Sequence, residues 1–292
     1  MVGSHMIFPV RDYDLAATLT SGQAFRWKLR DDGWEGIIGP HWVRLQRSAE
    51  GILARTAMPV TDWSWLNHYL QTEVALESVL LSFPDDEPMM SAFTACRGLR
   101  LLRQEPWECL ASFILSSTKQ IVQIQQIVSI LCERFGVPLV VPPGHEPVYS
   151  FPTPDRLAAA SEAELRACKM GFRAPNLRAT AKAVAEGTIN LKSLHVRTAE
   201  EARHELVQLH GVGNKIANCV LLFAYGFQEA FPVDVWILKA LRQLYFPKRR
   251  PSPRKLLHFT ATHFGPNAGY AQQYLFHYMR QKGRTQAEVS NQ

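Results

Sequence analysis

The strongest constraint on the fold is a change of hydrophobic period part-way along the chain. In the first third, apolar and polar residues alternate in short runs. Val43 and Leu45, for example, interleave with Arg44 and Gln46, the period of a strand with one buried face. Residues 24–27 and 34–38, separated by the Asp32-Gly33 turn signal, read as strands of an antiparallel sheet with one wet face, as do residues 42–46 and 51–55. Helices over about 62–70 and 73–81 are expected to cover the other face. Beyond Pro84 the period becomes that of a helix and stays so. Pro106 opens a strongly apolar helix through Leu115, and residues 118–135 form another that stops at Gly136. Capping-box patterns at Ser161 and Thr198 start helices, and Gly171 and Gly187 read as helix stops. The chain is therefore expected to be α+β: an N-terminal antiparallel β-sheet domain with helices over residues 6–100, an all-α domain over 101–285, and a tail over 286–292. Residues 1–5 read as an expression-vector scar outside the fold, with Met6 the natural start.

The 292 residues suffice for a substantial core. The best apolar run, from Val220 to Phe227, is far too short to span a bilayer, so no membrane partner is expected. Cys96, Cys109, Cys132, Cys168 and Cys219 contain no CxxC pair, which argues against a zinc ribbon or an iron-sulfur cluster and suits reduced, buried thiols. No metal or organic cofactor is implied. A net charge of +6 suits a polyanionic partner such as nucleic acid.

The chemistry concentrates in Gly211-Val212-Gly213-Asn214-Lys215, a hairpin between a helix over 199–209 and a second over 214–225. Glycines tolerate φ > 0 and let another backbone come close. Gly211 and Gly213 can aim backbone N–H groups outward at the positive end of the second helix, a device for holding phosphate. A plain helical corner is the simpler alternative. The absence of a following Lys-Ser/Thr pair argues against a nucleotide P-loop. Some twenty residues on comes Pro232-Val233-Asp234, with Asp234 at the N-cap position of another apolar helix over 235–244.

Gly211-Val212-Gly213-Asn214-Lys215 followed by Pro232-Val233-Asp234 resembles the helix-hairpin-helix Gly/Pro–Asp superfamily of DNA glycosylases. The segment from Ser21 to Trp27 (Ser-Gly-Gln-Ala-Phe-Arg-Trp) resembles the 8-oxoguanine DNA glycosylases within it, as do those from Gly98 to Gln104, Phe113 to Ser117, Lys169 to Ala174 and Gly265 to Gln272. The likeness covers residues 8 to 280 or so and implies that the all-α part is a helix-hairpin-helix glycosylase domain.

That resemblance implies roles. Lys215 would attack the anomeric carbon, form a Schiff base and allow β-elimination, its neutral form favoured by burial and nearby cations. Asp234 would stabilise the positive charge that develops on the sugar. Cys219 and Phe276 would sandwich the extruded base, and Gln272 would bond its Watson–Crick edge. Lys215, Cys219 and Phe223 fall at i, i+4 and i+8 on one helix face, although core packing is the simpler role for Phe223. A main-chain carbonyl at Gly22 would accept the N7 hydrogen that 8-oxoguanine has and guanine lacks, unless the glycine only serves a turn. Gly211, Val212 and Gly213 would hold DNA backbone.

Several positions depart from the animal-type pattern. Thr118-Lys119-Gln120 replaces a run of asparagines, the first of which fills the vacated stack. Gln123 replaces one of two arginines that read the opposite cytosine, and Arg173 matches the other. Phe172 stands for a tyrosine wedge and Trp236 for a phosphate-binding histidine. Relaxed selectivity for the opposite base is expected. The basic run Lys248-Arg249-Arg250 with Arg254-Lys255 reads as a loop, either solvated or touching DNA. The partner implied is double-stranded DNA carrying a damaged base, met by a monomer in the cytoplasm or nucleoid, or in a nucleus. The alternatives are a glycosylase of this fold for an alkylated or deaminated purine, and a non-catalytic DNA-binding module, which leaves Lys215 and Asp234 unexplained. Endonuclease III relatives keep the lysine but carry a four-cysteine cluster after the aspartate, and no cysteine follows Cys219.

Overall fold

The computed structural model describes residues 3–248 and 250–290, with side chains to residue 283. Arg249, within the basic run, lies outside the described residues.

The first part is a five-stranded antiparallel sheet in the order β1-β5-β4-β3-β2, formed by β1 (His5–Phe8), β2 (Lys28–Arg30), β3 (Gly33–Ile38), β4 (His41–Ser48) and β5 (Gly51–Thr56). Strands β2 to β5 form a meander, and β1 returns to pair with β5. Two expectations need correction here. Residues 1–5 are not all outside the fold: His5 pairs with Arg55, and the Ser4 carbonyl accepts from the Thr56 amide at 2.9 Å. Ladder pairing uses only main-chain groups, so their side chains give no sign of it. Residues 24–27 are not a strand. Gln23 holds this segment instead, its Nε2 donating to the Arg100 carbonyl at 2.8 Å and its Oε1 accepting from the Leu102 amide at 2.7 Å.

One sheet face closes over α1 (Leu15–Thr20), capped by Asp14, and α2 (Ser64–Leu70), burying Leu15, Leu19, Val43, Leu45, Leu66 and Leu70. Helix α3 (Leu76–Leu80) was expected on this face, yet its buried Leu76 and Val79 join the helical core. The opposite face is not simply wet. Ile37, Trp42 and Ala57 are buried there against Leu139, Val141 and Val148, and His145 Nε2 lies 2.8 Å from the Glu35 carboxylate.

The second part packs helices α4 (Glu87–Cys96), α5 (Pro106–Leu115), α6 (Ile121–Phe135), α7 (Pro154–Ala159), α8 (Glu162–Leu165), α9 (Ala174–Ala185), α10 (Ala199–Leu206), α11 (Asn214–Val220), α12 (Val235–Ala240), α13 (Pro253–Thr262) and α14 (Ala268–Ser290) around one apolar core. Helix α5 buries all but two of its residues, in keeping with its apolar run. The capping boxes at Ser161 and Thr198 form, and Gly171 and Gly187 take positive φ after helical segments. Helix α6 starts at Ile121 rather than residue 118, because Thr118 sits at φ +56, outside helical backbone. After Val220 the chain widens into a π turn over Leu221–Tyr225, stopped by Gly226 at φ +80. No helix among the described residues is long and apolar enough to cross a membrane.

Candidate active site

The hairpin between α10 and α11 forms as its glycines require. Gly211 sits at φ +77, and a Cβ there would stand 2.8 Å from Asn176, so both backbone conformation and packing demand glycine. Gly213 differs. Its backbone is extended, and a Cβ would meet nothing within 4 Å. The fold does not need glycine at this point, which leaves the open surface for something to approach. Val212 is buried and anchors the tip. No side chain caps α11, so its first amides are left for an external acceptor.

Lys215, in the first turn of α11, points back to the end of α5. Its Nζ donates to Ser116 Oγ at 3.0 Å and lies 5.2 Å from the centroid of the Phe113 ring. Cys219, one turn further on, is buried, and burial pushes its thiol up to about 11, with Lys215 pulling it down and Asp234 adding to the rise. Phe223 stacks on Phe113 at 5.5 Å within the core, so core packing describes it.

Asp234 caps α12, its Oδ1 accepting from the Ile237 amide at 2.8 Å. Burial raises its carboxyl above the ordinary carboxylate range, against the opposing pull of the Ile237 amide, Lys215, the Trp236 amide and Arg280. Lys215 and Asp234 form no direct ion pair, but the lysine draws the Asp234 carboxyl down, and Cys219 feels both. An amine and a partly desolvated carboxylate thus stand at the starts of two helices, the amine near enough to pull on the carboxyl.

Helix α14, packed against α12, contributes two further candidate residues. Gln272 is 3% exposed and its Oε1 has no partner. An orphaned buried acceptor of this kind is costly unless a ligand meets it. Phe276, one turn on, faces Gly22, where a Cβ would stand 3.4 Å from the Phe276 ring and 2.6 Å from Ile121 Cδ1. Gly22 sits at φ +81, and its carbonyl accepts no hydrogen bond from the described residues. Gln273 ties the two segments together by donating to the Ser21 carbonyl at 3.0 Å. Arg280 lies over the Phe276 ring at 5.5 Å and lowers the Asp234 carboxyl. The sequence did not single out Arg280, although it falls one turn after Phe276.

The residues assigned to the opposite strand lie elsewhere. Gln123 is exposed, and its Oε1 accepts from the Gln120 amide at 3.1 Å at the start of α6. Arg173 is buried and turned inward. Its Nη2 donates to the Ser117 carbonyl and, at 2.6 Å, to Thr118 Oγ1, while Nη1 donates to the Met170 carbonyl at 3.2 Å. Phe172 covers the guanidinium at 4.2 Å and is itself 60% exposed. Trp236 leans on Gly283 of α14 and carries Lys239 5.5 Å from its ring centroid. A separate cavity of about 290 Å³ between the sheet and α6, lined by Trp42, Glu35 and His145 among others, shares no residue with the lysine site. Among the described residues, no three His, Cys, Asp or Glu side chains converge to hold a metal.

A lysine and an aspartate at the starts of adjoining helices, with a glycine hairpin beside them, define the class of helix-hairpin-helix base-excision proteins. The family model for HhH-GPD superfamily base excision DNA repair proteins matches residues 111–264, and that for the 8-oxoguanine DNA glycosylase N-terminal domain matches residues 5–110. The N-glycosylase/DNA lyase OGG1 of Arabidopsis thaliana is 30% identical, over 94% of this chain and 80% of its own length. A probable N-glycosylase/DNA lyase of Methanothermobacter thermautotrophicus is 28% identical, over 95% of this chain and 97% of its own. The Clostridium acetobutylicum 8-oxoguanine glycosylase/lyase, solved with double-stranded DNA containing cytosine opposite the lesion, superposes with a TM-score of 0.87 at 29% identity, covering 97% of this chain and all of that one. The chain belongs to the 8-oxoguanine DNA glycosylase/lyase family of the HhH-GPD superfamily.

Proposed function

We propose that the protein releases 8-oxoguanine from duplex DNA and then cleaves the strand through a lysine Schiff base, wherever the cell keeps that DNA. Lys215 at the start of α11, held by Ser116, with Asp234 at the start of α12 and buried Cys219 one turn along from the lysine, carries this reading. The lone pair of Nζ bonds to C1′ as the bond from C1′ to the base breaks. The electron pair leaves with the base, which takes up a proton. Nζ sheds both its hydrogens as protons, one balancing the proton taken up by the base and the other that taken up by the ring oxygen, which becomes a hydroxyl as the ring opens to leave an imine. Removal of a C2′ hydrogen then expels the 3′ phosphate. Asp234, as carboxylate, stabilises the positive sugar. Gly211 and Gly213 present main-chain donors to a phosphate, while the Val212 amide is spent on the Leu209 carbonyl at 3.1 Å and holds the tip between them. A base leaving the stack meets Phe276, Cys219 and the waiting Gln272. A panel of duplexes with oxidised, alkylated and deaminated purines, scored for base release and strand scission, tests the assignment. Preference for an alkylated or deaminated purine over 8-oxoguanine would overturn it.

The Gly22 carbonyl is the feature proposed to separate lesion from guanine. Gly22→Ala should strain backbone at φ +81 and push on Ile121, 2.6 Å from the new Cβ. Displacing this carbonyl by about 1 Å should slow release of 8-oxoguanine on the order of 10²-fold, measured under single turnover. Release at the wild-type rate would remove Gly22 from the recognition scheme.

Opposite-base selectivity is proposed to be relaxed. Gln123 spends its amide oxygen on the backbone of Gln120, and Arg173 turns its donors inward. One bidentate contact to a base is worth about 1–3 kcal/mol. With such contacts missing, release opposite cytosine, adenine, guanine and thymine should agree to within about tenfold, since about 1.4 kcal/mol separates each decade. A strong cytosine preference in the same assay would show that Arg173 swings out to read.

A further inference from the structure

Resting on the proposal that Lys215 is the nucleophile, we infer that Ser116 is its positioning residue, fixing the amine from the end of α5 rather than from the lysine's own helix. The Ser116 hydroxyl donates to the Phe113 carbonyl at 2.7 Å. A hydroxyl has one hydrogen, so toward Lys215 Nζ, 3.0 Å away, Ser116 only accepts. One N–H of the amine is thereby fixed on Ser116, and the Phe113 ring forms a second wall 5.2 Å from Nζ. The remaining directions at nitrogen are left for the sugar. A lysine on a flexible four-carbon stem gains from this a fixed endpoint, which is what a near-attack geometry requires.

Ser116 is itself held. The Lys119 amide donates to the Ser116 carbonyl at 3.2 Å and closes the turn. Arg173, 3% exposed, clasps the next two residues through the Ser117 carbonyl and Thr118 Oγ1. Thr118 holds φ +56 within that clasp, a conformation a β-branched residue adopts only when its surroundings impose it. The turn is therefore a built bracket for the serine.

The test uses the full chain with excess enzyme over a duplex containing 8-oxoguanine. It compares wild type, Ser116→Ala, the isosteric pair Ser116→Thr and Ser116→Val, and Lys215→Gln. Three quantities are read: the rate of borohydride trapping, Kd for a duplex with an uncleavable abasic-site analogue, and the melting temperature. Ser116→Ala and Ser116→Val should trap about ten- to a hundredfold more slowly, with Kd and melting unchanged. Ser116→Thr, which keeps the hydroxyl, should recover most of the rate. Trapping at the wild-type rate in Ser116→Ala, Thr no better than Val, or a loss matched by weaker Kd would each overturn the positioning role. The nucleophile assignment fails separately, and takes this inference with it, if Lys215→Gln still traps. Loss of trapping in Lys215→Gln beside full speed in Ser116→Ala removes the inference alone.

Discussion

Lys215→Gln is expected to abolish the covalent adduct that borohydride captures on lesion DNA, and to lower strand cleavage by on the order of 10³-fold or more, as loss of a nucleophile does elsewhere. The substitution suits the site. Glutamine retains an N–H donor that can meet Ser116 Oγ, now 3.0 Å from Nζ, and the stem still passes the Phe113 ring. Folding and DNA affinity should therefore persist, and the loss should fall on chemistry. Base release should fall less than cleavage, because Asp234 remains to stabilise a sugar cation that water can attack. The rival nucleophile is Lys119, whose backbone adjoins the same serine. A lysine variant that still yields adduct, with Lys119→Gln removing it, would move the nucleophile four residues past the end of α5 and leave Lys215 as a phosphate contact.

How far the sequence reveals this site depends on how local each feature is. The hairpin is legible because Gly211 answers a backbone demand, φ +77 beside Asn176, that few residues can meet. Asp234 is legible because an N-cap leaves a pattern in the neighbouring residues. Ser116 carries no such pattern. It meets Lys215 across 99 positions of chain, and a serine after an apolar helix is unremarkable until the fold closes. The same contrast runs through the fold. Alternation reveals β4, since one sheet face buries Val43 and Leu45 against α1 and α2. It does not reveal β1, whose pairing with β5 is main chain only, nor the cover that Leu139, Val141 and Val148 lay over the other face. Arg173 is legible by resemblance as a reader of the opposite base, but resemblance does not convey that its guanidinium turns inward to clasp Thr118.

Asp234→Asn is the sharper test of the carboxylate, because it separates the two tasks that Asp234 combines. Asparagine caps a helix about as well as aspartate, so the bond to the Ile237 amide, 2.8 Å in the wild type, should survive. The charge does not. Loss of one preorganised electrostatic partner of a transition state costs on the order of 10²–10³-fold, and base release should fall by that amount while the fold stays intact. The pH dependence has a definite sign. Burial raises the Asp234 carboxyl, so wild-type base release should decline as pH falls through a value above that of an ordinary aspartate, and the asparagine variant should lack this limb. Stability moves the other way. Between the ordinary value and the raised one, the native state holds more protons than the unfolded chain, so stability falls as pH rises through that window. Above it the buried charge remains a cost, which asparagine removes. Asp234→Asn should therefore melt no lower than wild type at neutral pH, whereas Asp234→Ala, which loses the cap, should lose about 1 kcal/mol. Undiminished base release in a well-folded Asp234→Asn would leave this residue a cap and nothing more, and the sugar cation would need another anionic neighbour than the one beside Cys219.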